Sequence, residues 1–88
     1  MSVTLHLPQL FAGLFPAAPR RVALEAATVA EAINALERSW PGMRDRICDS
    51  TPAIRRHSNV FVDGARVALE TPLAAGADVY ILTAVSGG

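Results

Sequence analysis

The last six residues of the chain, Thr83-Ala84-Val85-Ser86-Gly87-Gly88, carry no charged side chain and no turn signal. Stretched at roughly 3.3 Å per residue, they would reach about 20 Å. Because Gly87 and Gly88 have no side chain, this end of the backbone is narrow enough to enter a tunnel in a partner protein. The reactive group at its tip is the Gly88 α-carboxylate, which resists nucleophilic attack until it is activated. The tail therefore predicts an acyl group that another protein must activate.

The basic side chains exclude two kinds of chemistry. All eight are arginines, and lysine is absent. A Walker A phosphate loop needs its lysine, and an enzymatic Schiff base forms on lysine. We therefore expect no bound cofactor, and we expect an ATP-using partner to make the acyl-adenylate. The predicted role is that of a carrier or co-substrate protein, not an enzyme.

Three other side chains invite a catalytic interpretation, namely Cys48, His6 and His57. A lone cysteine after a short helical turn is more commonly a small buried residue. His57 follows Arg55-Arg56 ahead of a strand, which is typical of a solvated basic edge, although contact with an acidic partner is an open alternative. The two histidines lack metal-ligand spacing and a third ligand, so we expect no metal.

Composition predicts one folded domain. Hydrophobic residues make up 51% of the 88 and charged residues 18%, a balance that excludes intrinsic disorder. Eight acidic residues match the eight arginines, so nothing favours nucleic acid. The most apolar stretch, Leu10 to Pro19, is about half the ~20 residues that a membrane span needs. One cysteine and no positively charged leader predict a cytoplasmic protein without a membrane partner.

The first half of the chain predicts a strand pair followed by a helix. Apolar and polar residues alternate over Ser2–Leu7 and again over Arg21–Ala26, which indicates two strands of a hairpin. We expect a loop over Gln9–Pro19, with its leucines and phenylalanines folded back on the core. Thr28 and Glu31 form a capping-box pattern that begins a helix. Pro41-Gly42 ends that helix, and Met43–Cys48 forms one short further turn. The helix buries one stripe, which consists of Val29, Ile33, Leu36 and Trp40.

The second half predicts the remaining strands. Ser58–Val62 is a third strand, and Asp63-Gly64 favours a type I′ turn that returns through Arg66–Leu69. Asp78–Thr83 is the last strand. One helix among these strands predicts an α+β domain over residues 1–82, with a mixed sheet of four to five strands, the helix across one face, and a flexible tail over 83–88. We expect a right-handed crossover that places the first and third strands side by side.

The sheet face opposite the helix is more apolar than a solvated face needs. By alternation it carries His6, Phe61, Tyr80 and Leu82, which together predict an interaction surface. The open alternative is that part of the loop from Gln9 to Ala18 covers this face.

The chain resembles the ubiquitin-like sulfur-carrier family over most of its length. That family includes the small subunit of molybdopterin synthase (MoaD type), the thiazole-forming carrier of thiamine synthesis (ThiS type), and carriers for cysteine and thiosugar synthesis. The specific element is the terminal Gly87-Gly88. The more general likeness lies in the capped helix, the Asn59-Val60-Phe61-Val62-Asp63-Gly64 hairpin and the Gly76-Ala77-Asp78-Val79-Tyr80-Ile81-Leu82 run. The resemblance implies a β-grasp fold.

The resemblance also implies a reaction cycle. An E1-like enzyme adenylates Gly88, a sulfur donor converts it to a thiocarboxylate, and a biosynthetic enzyme accepts the sulfur. The implied partner-binding residues are Val85, Ser86 and Gly87 in the tail and Phe61, Tyr80 and Leu82 on the sheet. Thr83-Ala84 stands where MoaD-type subunits often have two prolines, which disfavours that type. The long Pro/Ala loop and the Asn59-Val60-Phe61-Val62 strand are more similar to cysteine- or thiosugar-type carriers. A molybdopterin synthase subunit, a protein modifier joined through Gly88 and a plain interaction module are the alternatives.

Overall fold

A computed structural model describes residues 2–48, 54 and 58–83 of the chain. It contains five strands and three helices in the order β1, α1, β2, α2, α3, β3, β4, β5. The strands are β1 (Ser2–His6), β2 (Arg21–Glu25), β3 (Ser58–Val62), β4 (Ala65–Arg66) and β5 (Asp78–Thr83). The helices are α1 (Leu10–Leu14), α2 (Val29–Ser39) and α3 (Met43–Ile47).

The five strands form one mixed sheet in the order β2-β1-β5-β3-β4. The pair β1 and β5 is parallel, whereas β1–β2, β3–β5 and β3–β4 are antiparallel. The expectation that the first and third strands are neighbours is therefore wrong, because β5 lies between them. Central strands bond through both backbone edges, and β5 pairs with β1 on one side and with β3 on the other, with Val79 and Ile81 buried in the core.

The core lies between one face of the sheet and α2, which confirms the predicted α+β fold with its main helix across one face. The sheet buries alternate residues, and α2 buries the predicted stripe, with Trp40 partly buried against it. Helices α1 and α3 add Phe11, Met43 and Ile47 to this core. The fully buried large side chains are Val3, Leu5, Phe11, Val29, Ile33, Leu36, Met43, Ile47, Val60, Val79 and Ile81.

The N-terminus of α2 has the predicted capping box with one change. The Thr28 side chain accepts a hydrogen bond from the Glu31 amide at 3.2 Å. The Glu31 carboxylate accepts from the amide of Ala27 at 2.9 Å, one residue before the cap, and not from Thr28 itself. Both contacts satisfy backbone donors at the entrance to the helix, so they fix where α2 begins.

The segment expected to be a loop contains helix α1. Phe11 and Phe15, four residues apart, face inward and meet edge to face with ring centroids 5.5 Å apart. Leu10 and Leu14 are also four residues apart but lie on the other side of the turn, where they are 50% and 39% exposed. The expectation that these two leucines fold onto the core is wrong, because helical spacing gives the inward face to the phenylalanines.

The β3–β4 hairpin has the predicted type I′ turn, since Asp63 and Gly64 have φ of 53° and 80°. The returning strand is shorter than expected and ends at Arg66. Beyond it the chain turns toward α2, where the carbonyls of Leu69 and Thr71 accept from Ala30 and Val29 at 2.8 and 3.0 Å. Satisfying these helix N-terminal amides takes the segment away from the sheet.

Glu37 fixes the corner between α2 and α3. Its carboxylate accepts hydrogen bonds from the amide of Gly42 at 3.0 and 3.1 Å and from the amide of Arg44 at 2.9 Å. The bond from Gly42, followed by that from Arg44, lowers the pKa of Glu37 below its ordinary value, and the Arg44 charge adds to the effect.

Replacing the charge of Glu37 is expected to cost stability in a pH-dependent way. A glutamate whose pKa is lower in the folded state stabilises the fold above the unfolded pKa of about 4.3, and this contribution is lost as pH falls through the folded pKa. Glu37→Gln is therefore expected to unfold at lower denaturant concentration than the parent at pH 7, with the difference shrinking in acid. Glu70→Gln, which replaces an exposed glutamate, is the matched control. An equal loss of stability in Glu37→Gln at pH 7 and in acid would contradict a lowered pKa of Glu37 in the folded state.

Gly42 is expected to resist substitution because of its backbone conformation. Its φ is +99°, where a side chain costs about 1 kcal/mol, although an added Cβ would meet only the Phe15 ring edge at 3.8 Å. Gly42→Ala is expected to lower the melting temperature by about 4–8 °C. Gly13→Ala in α1 has open space around the new methyl group and is expected to be neutral or stabilising. Equal losses at both glycines in thermal unfolding would contradict this explanation.

Candidate functional site

An apolar patch lies on the sheet face away from α2 and consists of His6, Phe61, Tyr80 and Leu82; we call it the outer-face patch. Because Val79 and Ile81 of β5 point into the core, Tyr80 and Leu82 must point outward. They are 45% and 49% exposed, and Phe61 is half-buried. The strand register places His6 and Phe61 on either side of Tyr80. The fold thus brings together the sheet residues that the sequence singled out.

His6 fixes the shape of the patch. Its ring stacks on Tyr80 with centroids 4.1 Å apart and planes 9° apart. Its Nε2 lies 2.9 Å from Oδ1 of Asp78, which is two residues before Tyr80 and on the same face of β5. The imidazole of His6 is therefore fixed by its stacking on Tyr80 and by its contact with Asp78, and it restricts the orientation of the tyrosine ring. Sequence reasoning did not assign a role to Asp78, although its alternation with Tyr80 along β5 was a visible signal.

A shallow groove of about 540 Å³ runs beside the patch. Tyr80 and Leu82 contribute apolar surface, while Arg20 and Arg21 supply positive charge. Gln9 also lines the groove, but Tyr80 and Leu82 remain about half exposed. The alternative that the segment 9–18 covers this face is therefore wrong, and the patch is open to a partner.

Strand β5 leads directly from the patch to the tail. It ends at Thr83, one residue beyond the predicted boundary of the domain, immediately after Leu82. The predicted tail residues Val85, Ser86, Gly87 and Gly88 lie outside the described residues, so their roles stay predictions. Because the patch and the tail share one strand, a partner docked on Leu82 would sit beside the first residue of the tail.

Of the remaining reactive side chains, the structure describes Cys48 but not His57. Cys48 is 2% exposed and belongs to the core, which fits the expectation of a small buried residue. His57, with Arg55 and Arg56, lies outside the described residues.

Within residues 2–48, 54 and 58–83, no three histidine, cysteine or acidic side chains are grouped so that they could hold a metal ion. None of the helices in this part of the chain is long and apolar enough to cross a membrane.

The fold is shared with several small proteins of known structure. A chain in the crystal structure of the Amycolatopsis orientalis BexX/CysO complex is 29% identical, with a TM-score of 0.87 over 98% of this chain and 99% of that one. Mycobacterium tuberculosis CysO, described as an antigen, is 29% identical, with a TM-score of 0.83 over 94% and 99%. SAMP1 from Haloferax volcanii is 28% identical, with a TM-score of 0.84 over the whole of both chains.

No curated protein matches the sequence significantly. The model of the ThiS family matches residues 9–88, which is nearly the whole chain. Three observations agree with this match. They are the order of the strands around one main helix, the capped helix and type I′ hairpin that carry the sequence resemblance, and the similarity to the solved structures. The chain belongs to the ThiS family of ubiquitin-like sulfur carriers and has the β-grasp fold.

Proposed function

We propose that the protein carries sulfur on its C-terminal residue, Gly88, as a thiocarboxylate. The observation that carries this proposal is that the family match extends through residue 88 and so includes Gly87-Gly88. The end of β5 at Thr83, which lies beside an exposed patch that suits a partner, also supports it. The protein is not the enzyme of the reaction in this proposal; it is the carrier that an enzyme loads.

The loading chemistry takes two steps. A Gly88 carboxylate oxygen attacks the α-phosphorus of ATP on the E1-like partner, which forms an acyl-adenylate and releases pyrophosphate. A hydrosulfide-equivalent donor then attacks the carbonyl carbon, a C–S bond forms, and AMP leaves with the former carboxylate oxygen. ATP is thus bound by the partner. The contribution of this chain is an extended tail, in which the glycines leave room for the partner to surround the reacting carbon.

The outer-face patch is the proposed docking surface for these partners. The exposed side chains of Tyr80 and Leu82 provide apolar area that a bound partner would remove from water. Arg20 and Arg21 of the groove favour a partner with acidic groups at the rim of its interface. The likeness to a chain of the BexX/CysO complex supports a protein partner. A cysteine- or thiosugar-type recipient stays a prediction from the sequence resemblance, with a molybdopterin synthase small subunit as the alternative.

A protein modifier is the second candidate function. The likeness to SAMP1, a small archaeal modifier protein, favours it. The same adenylated Gly88 would then be joined to a lysine of a target protein, and the two fates share the activation step. Isolation of the protein from its native cells distinguishes them, because a carrier ends in a thiocarboxylate whereas a modifier is found in covalent conjugates that contain a Gly88 amide bond to lysine.

The activation step can be tested directly. Incubated with ATP and its E1-like partner, the protein is expected to cause release of one pyrophosphate per chain when no sulfur donor is present. Sulfide should then release AMP and permit further turnover only with fresh protein. Pyrophosphate release that does not depend on the presence of this protein would contradict its role as the acyl substrate.

A further inference from the structure

Strand β2 forms one edge of the sheet, and its register shows which backbone groups face outward. The Leu7 amide donates to the Arg20 carbonyl at 2.8 Å, so this opposed pair is hydrogen-bonded. In an antiparallel pair such positions alternate, so the amides and carbonyls of Val22 and Leu24 also face β1. Those of Arg21, Ala23 and Glu25 therefore point away from the sheet, toward any strand that approaches this edge.

The outward-facing residues of β2 in one copy of the chain are complementary to the same residues in a second copy. If a second copy of β2 approaches antiparallel with Ala23 opposite Ala23, then Arg21 lies opposite Glu25 of the copy, and Glu25 lies opposite Arg21. All three opposed pairs then join outward-facing backbone groups, which gives six N–H to O=C hydrogen bonds across the edge. The small Ala23 side chains meet at the two-fold axis.

The charged and apolar side chains of β2 also favour the register in which Ala23 lies opposite Ala23 of the second copy. Arg21 and Glu25 lie on the outer face of the sheet, so each copy would place two opposite charges side by side across the new strand pair. On the inner face, the half-buried Val22 and Leu24 would pair with Leu24 and Val22 of the copy. A shift by two residues would lose both charge pairs, so the register is defined by the side chains.

We propose that β2 is a homodimerisation edge, through which two copies of this chain join their sheets into one ten-stranded sheet. The interface is isologous, as expected for a two-fold dimer. It leaves the outer-face patch and the end of β5 open, since β1 lies between β2 and β5. Arg21 lines the groove and also belongs to this edge, so the two surfaces share one residue. Sulfur loading and dimerisation have separate readouts, the mass of Gly88 and the dimer dissociation constant, so either claim can fail without the other.

A charge-swap series tests this proposal. Sedimentation equilibrium of the parent chain is expected to show a monomer–dimer equilibrium that weakens with added salt. Arg21→Glu and Glu25→Arg should each raise the dimer dissociation constant about tenfold, because each turns two opposite-charge pairs into two like-charge pairs. The double variant Arg21→Glu/Glu25→Arg should restore dimerisation. Arg66→Glu, on β4 at the opposite edge, is the matched control and should change nothing.

A backbone variant tests the hydrogen bonds separately. Ala23→Pro removes the amide that faces outward at the two-fold axis, which an edge strand tolerates within the monomer. It should abolish the dimer while far-ultraviolet circular dichroism stays like that of the parent. A parent chain that remains monomeric at millimolar concentration would overturn the proposal, even if a strand of another protein were found to pair with β2. Failure of the double swap to restore a dimer that the single variants lose would also overturn it.

Discussion

Removal of Gly87 and Gly88 is expected to reduce sulfur loading by more than about a hundredfold. The two residues span about 7 Å when extended, so the carboxylate of a chain that ends at Ser86 would stop that far short of the adenylating site. A misplacement of about 1 Å already costs roughly a hundredfold in rate when geometry controls a reaction. The measurement is pyrophosphate release with the E1-like partner, followed by intact mass after addition of sulfide.

This deletion should leave the domain itself unchanged. The described core involves no residue beyond Ile81, and β5 ends at Thr83, so the melting temperature should match that of the parent. Gly88→Ala is a milder companion variant, because it keeps the length of the tail and adds one methyl group at its tip. Loading of the deletion variant at the rate of the parent would refute the role of the tail.

A charge at Leu82 is expected to weaken docking of the E1-like partner by at least about thirtyfold, or roughly 2 kcal/mol. Leu82 is 49% exposed on the outer face, so Leu82→Asp leaves the core intact while it places a carboxylate where a partner must exclude water. Titration calorimetry with the partner measures the effect. Phe61→Asp is expected to act in the same direction, but Phe61 is half-buried and its substitution also affects the fold.

Leu14→Asp is the matched control for Leu82. It makes the same substitution at an exposed leucine, 39% accessible, on α1 and not on the sheet. Both variants should melt close to the parent, and Leu14→Asp should bind the partner normally. Unchanged affinity of Leu82→Asp, or equal losses at both leucines, would show that the docking surface is assigned to the wrong part of the molecule.

Local sequence patterns predicted most elements of this fold but not the order of the strands in the sheet. Thr28 and Glu31 defined the start of α2, and Asp63-Gly64 defined the type I′ turn, because each depends on residues a few positions apart. The position of β5 between β1 and β3 depends on pairing between opposite ends of the chain, for which no short-range signal exists. Helix α1 was missed because Gly13 and the nearby prolines suggested a loop, whereas burial of Phe11 favours a helical turn.

The sequence predicted which residues of the candidate site share a face of the sheet, but not which of them are in contact. Alternation along β5 assigned Tyr80 and Leu82 to the outer face, since the period of a strand is two residues. The contact between His6 and Asp78 was not predictable, because it depends on the parallel register of strands 72 residues apart in sequence. Alternation thus identifies which residues share a face, whereas the register determines which of them touch.

The most direct test of the account is the mass of the protein after reaction with its E1-like partner, ATP and sulfide. The account predicts a gain equal to one oxygen-to-sulfur exchange, located on Gly88 by fragmentation of the C-terminal peptide. An unchanged mass, while the partner still forms the adenylate, would contradict sulfur carriage, as would a mature protein that extends beyond residue 88.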